Sequence, residues 1–291
     1  MYILFDIGGT KMRITLSRDG ETFEEPKILD TPADFDAAMA LIQTTVLAMT
    51  GGAKITAAGG GVAGKLLCTH GKGEAHANVC STLLIGPHLA GWNGKAIEFV
   101  LEDILKAPVY MQNDASIVGL GEAVVGAGKG HEVVAYMTVS TGVGGARIVN
   151  QEIDLSIMGF EPGHQIIDAS GMLCKNTVCG TGLDLEGAVS GSAITARYGK
   201  KPYEITDPIF WDEMARVLAY GLNNTIVHWS PDIVVIGGSM MKEIGIPIDR
   251  VRAHLRGILQ IFPELPLIEK ATLGDIGGLH GALAFIKQKH K

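Results

Sequence analysis

Two short turns in this chain hold the residue types that handle anionic oxygen. The first is Asp6-Ile7-Gly8-Gly9-Thr10-Lys11, set between apolar residues 2–5 and a second strand-like run at 12–16. Glycines let backbone N–H groups turn toward an anion with no Cβ in the way. The Thr10 hydroxyl and the Lys11 ammonium can donate to phosphate oxygens, and the Asp6 carboxylate suits a hydrated Mg2+. The same residues also fit a plain β-hairpin whose turn needs glycine. The second turn, Ser140-Thr141-Gly142-Val143-Gly144-Gly145, again joins two apolar runs, 133–139 and 146–149. Strand, glycine turn, strand thus occurs once in each half. The expectation is two turns facing each other across a cleft, with a triphosphate between them. A third glycine run, 59–64 with Lys65 after it, comes close to P-loop spacing. Leu66 stands where Ser or Thr would bind Mg2+, and no good helix pattern follows. Residues 59–64, Gly61 among them, read better as backbone lining a ligand pocket.

An amide and an acid, Asn113 and Asp114, stand where a strand at 108–112 hands over to a helix at 115–125. Side chains at such a junction reach a cleft. One of the two can cap the helix and still serve the site. Glu161-Pro162-Gly163-His164 is a tight polar cluster, and Gly237-Gly238-Ser239 turns out of a strand at 233–236.

The elements that must position these residues follow from periodicity. Phe35, Met39, Ile42, Val46 and Met49 alternate spacings of four and three, which predicts a helix over 33–49. Thr50-Gly51-Gly52 stops it. Helices are also expected at 95–105, 248–259 and 277–288. A long amphipathic helix at 208–227 would carry Met214, Val217, Leu218, Leu222 and Ile226 on one face. Strands are expected at 27–30, 55–58 and 267–270, and residues 74–85 read as irregular. Strands come first and helices later, and this order occurs twice. The expected boundary is a hinge near residue 112. It divides a smaller domain, 1–112, from a larger one, 113–291, whose last helix packs back on the first.

Composition narrows the function classes. Of 291 residues, 47% are hydrophobic and 19% charged, enough for a large core and too apolar for a disordered chain. The formal net charge is -7 and no block of Lys and Arg appears, which argues against a nucleic-acid surface as the main business. Four cysteines are too few for a disulfide scaffold. No apolar run approaches the ~20 residues of a membrane span. The chain opens directly into a strand, without a leader pattern. A soluble, reduced, cytoplasmic protein with small-molecule partners and no membrane partner is the expectation.

Taken in order, the motifs resemble the ROK sugar-kinase family of the actin/hexokinase superfamily. They are DIGGT at Asp6 to Thr10, Asn113-Asp114 followed by Gly121-Glu122, STGVGG at Ser140 to Gly145, and ExGH at Glu161 to His164. Cys179-Gly180 with Glu186 and Ser190-Gly191, and VVIGG at Val234 to Gly238, complete the set. The resemblance covers nearly the whole chain. It implies an α/β fold of two ribonuclease H-like domains, each a mixed sheet flanked by helices, with ATP in the cleft. It places Gly8, Gly9, Thr10 and Lys11 in a first phosphate loop and Thr141, Gly142 and Gly144 in a second. Gly237 and Gly238 would lie under the adenosine, and Asp6 near Mg2+. The sugar would be held by Asn113, Asp114, Glu161, His164 and Glu186. Asp114 would accept the proton of the attacking hydroxyl, by implication the 6-OH of a hexose or N-acyl-hexosamine.

The resemblance also implies a homodimer. Two departures stand out. The family's structural Zn2+ pattern is altered, with Thr177 and Asp184 at two of its three cysteine places. A shifted site using His164, Cys174, Cys179 and Asp184 and a metal-free loop both remain open. His88 replaces the amide that helps shape the family's sugar pocket, which opens the choice of sugar beyond glucose. The other classes implied are a sugar-binding regulator and an inactive kinase-like protein. DIGGT begins so near the start that no DNA-binding helix-turn-helix is expected before it.

Overall fold

The computed structural model of the chain describes residues 1–70, 78–86, 89–168 and 183–290. The chain forms two compact units. One comprises Met1–Val125, Leu155–Gly159 and Asp275–Lys291, the other Gly126–Asp154 and Phe160–Gly274.

The first unit begins with β1 (Tyr2–Ile7), β2 (Lys11–Ser17) and β3 (Lys27–Asp30), then α1 (Phe35–Thr50), β4 (Ala57–Val62), β5 (Lys65–His70) and β6 (Asn78–Ile85). After these come α2 (Ile97–Leu105), β7 (Val109–Asn113) and α3 (Asp114–Val124). Its main sheet has the order β3-β2-β1-β4-β7. β1 runs antiparallel to β2 and parallel to β4, and β4 runs parallel to β7. Ile3, Phe5, Ile7, Met12, Ile14 and Leu16 from the hairpin pack with Ile42 and Val46 of α1. Asp34 caps α1 by accepting from the Ala37 N–H at 2.8 Å, and Gly51 closes it in the left-handed region at φ 59°.

β5 and β6 form a separate two-stranded hairpin. This corrects the expectation of irregular structure at residues 78–85, the earlier part of that stretch lying outside the described residues: NVCSTLLI lacks the strict alternation by which a strand shows itself.

The second unit holds β8 (Val133–Val139), β9 (Val143–Val149), β10 (Glu152–Ile153), β11 (Ile166–Asp168), β12 (Leu183–Asp184), α4 (Leu185–Val189) and α5 (Gly191–Tyr198). α6 (Pro208–Trp229), β13 (Ile233–Gly237), α7 (Ile248–Ile258) and β14 (Leu267–Lys270) follow. Its sheet order, β10-β9-β8-β13-β14, repeats the first: an antiparallel hairpin, then two parallel strands. Met214, Val217, Leu218, Leu222 and Ile226 are all buried, so α6 turns the face read from its periodicity into the core.

The closing helix α8 (Gly277–Lys289) belongs to the first unit and lies on α3. A Cβ on Gly281 would fall 1.8 Å from the Ile117 carbonyl oxygen, and one on Gly121 2.5 Å from that of Gly277. The two helices touch backbone to backbone, which keeps α3 with the first unit. The boundary therefore falls after Val125 rather than at residue 112. Among the described residues, no helix is long and apolar enough to cross a membrane.

Candidate active site

In the first unit, the turn between β1 and β2 is closed by the Gly8 N–H, which donates to the Lys11 carbonyl at 2.9 Å. The Thr31 hydroxyl donates to the Gly8 carbonyl at 2.8 Å and pins the turn from the far end of β3. The N–H groups of Gly9 and Thr10 have no partner among the described residues, so they stay available to an anion. Gly8, by contrast, has spent its amide on the turn itself. The Lys11 ammonium lies 2.5 Å from Asp30 on the exposed side of the hairpin.

Asp6 is the buried acid of this turn. The β1–β2 register sets it opposite Arg13, whose Nη1 lies 3.4 Å from its Oδ2. Arg13 Nη2 lies 3.7 Å from Asp275, just before α8. Burial pushes the Asp6 carboxyl up, and the Arg13 guanidinium pulls it part of the way back. A Cβ on Gly278 would fall 2.9 Å from Asp6 Cγ, so the first turn of α8 closes over the carboxylate only because glycine stands there. Oxygen ligands of this kind suit a hard divalent cation. Neither Arg13 nor Asp275 is marked by a motif. Arg13 becomes visible only once the hairpin register is drawn, because side chains facing each other across a turn are then fixed by counting.

Asn113 and Asp114 sit at the junction of β7 and α3. Asn113 is the N-cap: its Oδ1 accepts from the Ser116 N–H at 3.2 Å, and its amide donates to the Gly64 carbonyl at 3.0 Å. Asp114 is the first residue of the helix. Its Oδ1 accepts from the Ala115 N–H at 2.9 Å and from the Asn113 amide at 3.0 Å, which fixes the direction of the carboxylate. A Cβ on Gly61 would fall 2.8 Å from Asp114 Cα. Here the missing side chain admits the start of α3. All six residues of β4 are buried, and Lys65 opens a strand, so residues 59–65 form no P-loop.

In the second unit, the turn between β8 and β9 is tied from several sides. Ser140 N–H donates to the Gly142 carbonyl at 2.8 Å, and Gly191 N–H donates to the Ser140 carbonyl at 2.7 Å. The Ser140 and Ser239 hydroxyls lie 3.0 Å apart, so this turn meets the one at Gly237-Gly238. Glu186, in α4, accepts from the Val143 N–H at 2.8 Å, and its Oε2 lies 2.6 Å from where a Gly142 Cβ would stand. The candidate sugar carboxylate and the glycine turn are therefore one construction. Gly144 continues into β9, paired with Thr138. Thr141 is exposed.

His164 ends a 3-10 turn at Pro162–His164, and its Nδ1 lies 3.1 Å from Asp184 Oδ2. The Asp184 hydrogen bond pushes His164 up, with Glu186 and Glu161 adding to it against partial burial. Asp184 also caps α4 through the Gly187 N–H at 2.7 Å. Glu161, His164, Asp184 and Glu186 thus come together. Cys174, Cys179 and His88 lie outside the described residues. Among the described residues, no group of three or more His, Cys, Asp or Glu is placed to hold a metal.

A groove of about 570 Å³ opens in the same unit, lined by Ile205, Pro208, Ile209, Ile244, Pro247 and Arg250 among others. Ile244 lies three residues along the chain from the end of the 3-10 turn Ser239–Met241, which leaves the Gly237-Gly238 bend.

A family model described as ROK family matches residues 2–289. A glucokinase from Streptomyces coelicolor is 26% identical, over 95% of this chain and 94% of its own. An N-acetyl-D-glucosamine kinase from Shigella flexneri is 28% identical, over 97% and 98%. The crystal structure of a ROK hexokinase from Thermus thermophilus superposes with a TM-score of 0.79 at 25% identity, covering 100% of this chain and 99% of that one.

Proposed function

This chain belongs to the ROK family, and from that premise we propose that it is an ATP-dependent kinase of a hexose or an N-acyl-hexosamine, acting at the 6-hydroxyl with Asp114 as general base. Phosphoryl transfer asks the protein mainly for positioning and charge neutralisation. In this reading Asp114 takes the proton of the sugar hydroxyl as the new O–P bond forms and the bond to the departing ADP breaks. The observation that carries it is the anchoring of that carboxylate. Its Oδ1 is held by two donors at the mouth of a helix, with Asn113 capping beside it.

Asn113, Glu161, His164 and Glu186 bind and orient the sugar hydroxyls, and His88 helps select the sugar. The Gly9 and Thr10 amides and Lys11 take polyphosphate oxygens, as do Thr141 and Gly142. Lys11 leaves Asp30 to do so. Asp6 would hold Mg2+, which when bound neutralises charge on the transferring phosphate. The groove lined by Ile205, Pro208, Ile209 and Ile244 suits a nucleoside base, with Gly237 and Gly238 under the adenosine. We further propose a cytoplasmic homodimer. The N-acetylglucosamine and glucose kinases among its relatives support a substrate in this class. A coupled ADP-release assay across glucose, mannose, fructose, N-acetylglucosamine, N-acetylgalactosamine and N-acetylmannosamine tests the reading. Sugar-dependent ADP release with at least one is expected. Binding of a sugar without ADP release would replace the kinase by a sugar-binding regulator.

A further inference from the structure

Strand β7 is the outer strand of the first sheet, paired with β4 on one side only. An outer strand leaves a row of backbone N–H groups unpaired. Two of these, on Val109 and Met111, are taken by side chains of α2. Glu102 Oε1 accepts from the Val109 N–H at 3.2 Å, and the Glu98 carboxyl accepts from the Met111 N–H. Four residues of helix rise about 6 Å and two residues of strand about 6.6 Å, so i, i+4 on α2 matches i, i+2 on β7. With this pair of glutamates α2 stands in for a missing strand. The braced strand runs straight into Asn113 and Asp114.

Glu98 is only 6% exposed, and its Oε2 has no hydrogen-bond partner. Burial first, and then the nearby Glu102 carboxylate, push Glu98 up to about 8. It therefore holds its proton at neutral pH. Among the described residues, the groups packed against it offer no compensating cation. From β7 comes Tyr110, whose hydroxyl lies 3.3 Å from His290 Nδ1 and which is itself pushed up by burial and by both glutamates. α1 carries only Asp36, in its first turn. The flanking lysines are engaged elsewhere, Lys95 over the Phe35 ring and Lys106 with Asp103.

We propose that Glu98 is a positioning residue for the Asn113–Asp114 pair: with Glu102 it braces the open edge of β7, and losing its proton loosens the brace. Once ionised, Glu98 repels Glu102 on the same helix face and sits buried without a counterion. α2 then moves off the strand, and the strand end that carries Asp114 moves with it. The inference rests on Asp114 as base.

The test compares wild type, Glu98→Gln and Glu98→Leu from pH 6 to 9.5. The probe is whichever of glucose, N-acetylglucosamine and N-acetylmannosamine wild type turns over. Glutamine keeps an acceptor for the Met111 N–H and cannot ionise; leucine fills the space and offers no acceptor. Wild-type kcat is expected to fall about tenfold through a midpoint near 8, with KM little changed. Glu98→Gln should keep neutral-pH kcat and lose that alkaline fall, and Glu98→Leu should be low at every pH.

The same alkaline fall in Glu98→Gln, or wild-type kcat in Glu98→Leu, would overturn the proposal. Hydrogen exchange of the β7 amides gives a readout independent of turnover. Their protection relative to β4 should drop above pH 8 in wild type and hold in Glu98→Gln; equal behaviour in both also overturns it. A chain that turns over no sugar, or an active Asp114→Asn, points instead to failure of the kinase reading.

Discussion

The two units share a sheet plan and differ in what they put at the same place in it. In each, a hairpin with a glycine turn pairs with two parallel strands. Asp6 lies one residue before the last of β1, opposite Arg13; the matching position of β8 is Thr138, opposite Gly144. One frame thus carries a buried acid with a guanidinium across from it, and the other a hydroxyl facing bare backbone. The turns differ in the same sense. The first offers an ammonium at Lys11, while the second offers hydroxyls and amides and takes its carboxylate, Glu186, from a helix. A repeated backbone plan does not impose repeated chemistry. Side-chain charge is concentrated in the first turn, and the second is tied by hydrogen bonds.

The sharpest way to break this contrast is to neutralise the two matching positions. Asp6→Asn should lower kcat by about 10²-fold or more, whereas Thr138→Ala should stay within about twofold. Equal losses in the ADP-release assay would mean that the two turns do the same work. Gly142→Ala comes next. Its Cβ would collide with Glu186 Oε2, so the carboxylate must leave the Val143 amide. A loss on the order of tenfold in kcat/KM for the sugar is expected, because a small displacement of a binding group is costly. An unchanged KM and kcat would separate Glu186 from the substrate.

Stability against pH sharpens the contrast from another side, since Glu98 lies in the first unit. In the unfolded chain a glutamate loses its proton near 4.5, and in the fold Glu98 holds it to about 8. The folded state therefore binds the extra proton, and stability falls as pH rises between those values and levels off above them. Thermal unfolding should show wild type a few degrees less stable at pH 8 than at pH 5, and Glu98→Gln should remove that part of the difference. The smallest effect belongs to Asp30→Asn. It releases Lys11 from an exposed pair and should lower the KM for ATP by about twofold. A higher KM would show that Asp30 holds the lysine in its working position.

Much of this was legible in the sequence where the signal is local. The turns at 6–11 and 140–145 announce themselves by composition, and α6 by the spacing of five apolar residues. Non-local facts were not legible. The division after Val125 depends on Gly121 meeting Gly277 and Gly281, residues more than 150 positions away. His164 and Asp184 are expected together from the sequence only as ligands of a shifted metal site; their hydrogen bond, and the second duty of Asp184 as cap of α4, need the fold. The capping role of Asn113 was foreseen as one of two options, and the geometry chose between them. The brace of Glu98 and Glu102 on β7 had no sequence signal at all, because the two glutamates look like any i, i+4 pair on a solvated face.

Asp114→Asn, assayed for ADP release and for sugar binding by calorimetry with the sugar that wild type turns over fastest, should lose about 10³-fold in kcat and keep its sugar affinity within about threefold. Wild-type turnover in that variant would contradict the assignment of Asp114 as the base.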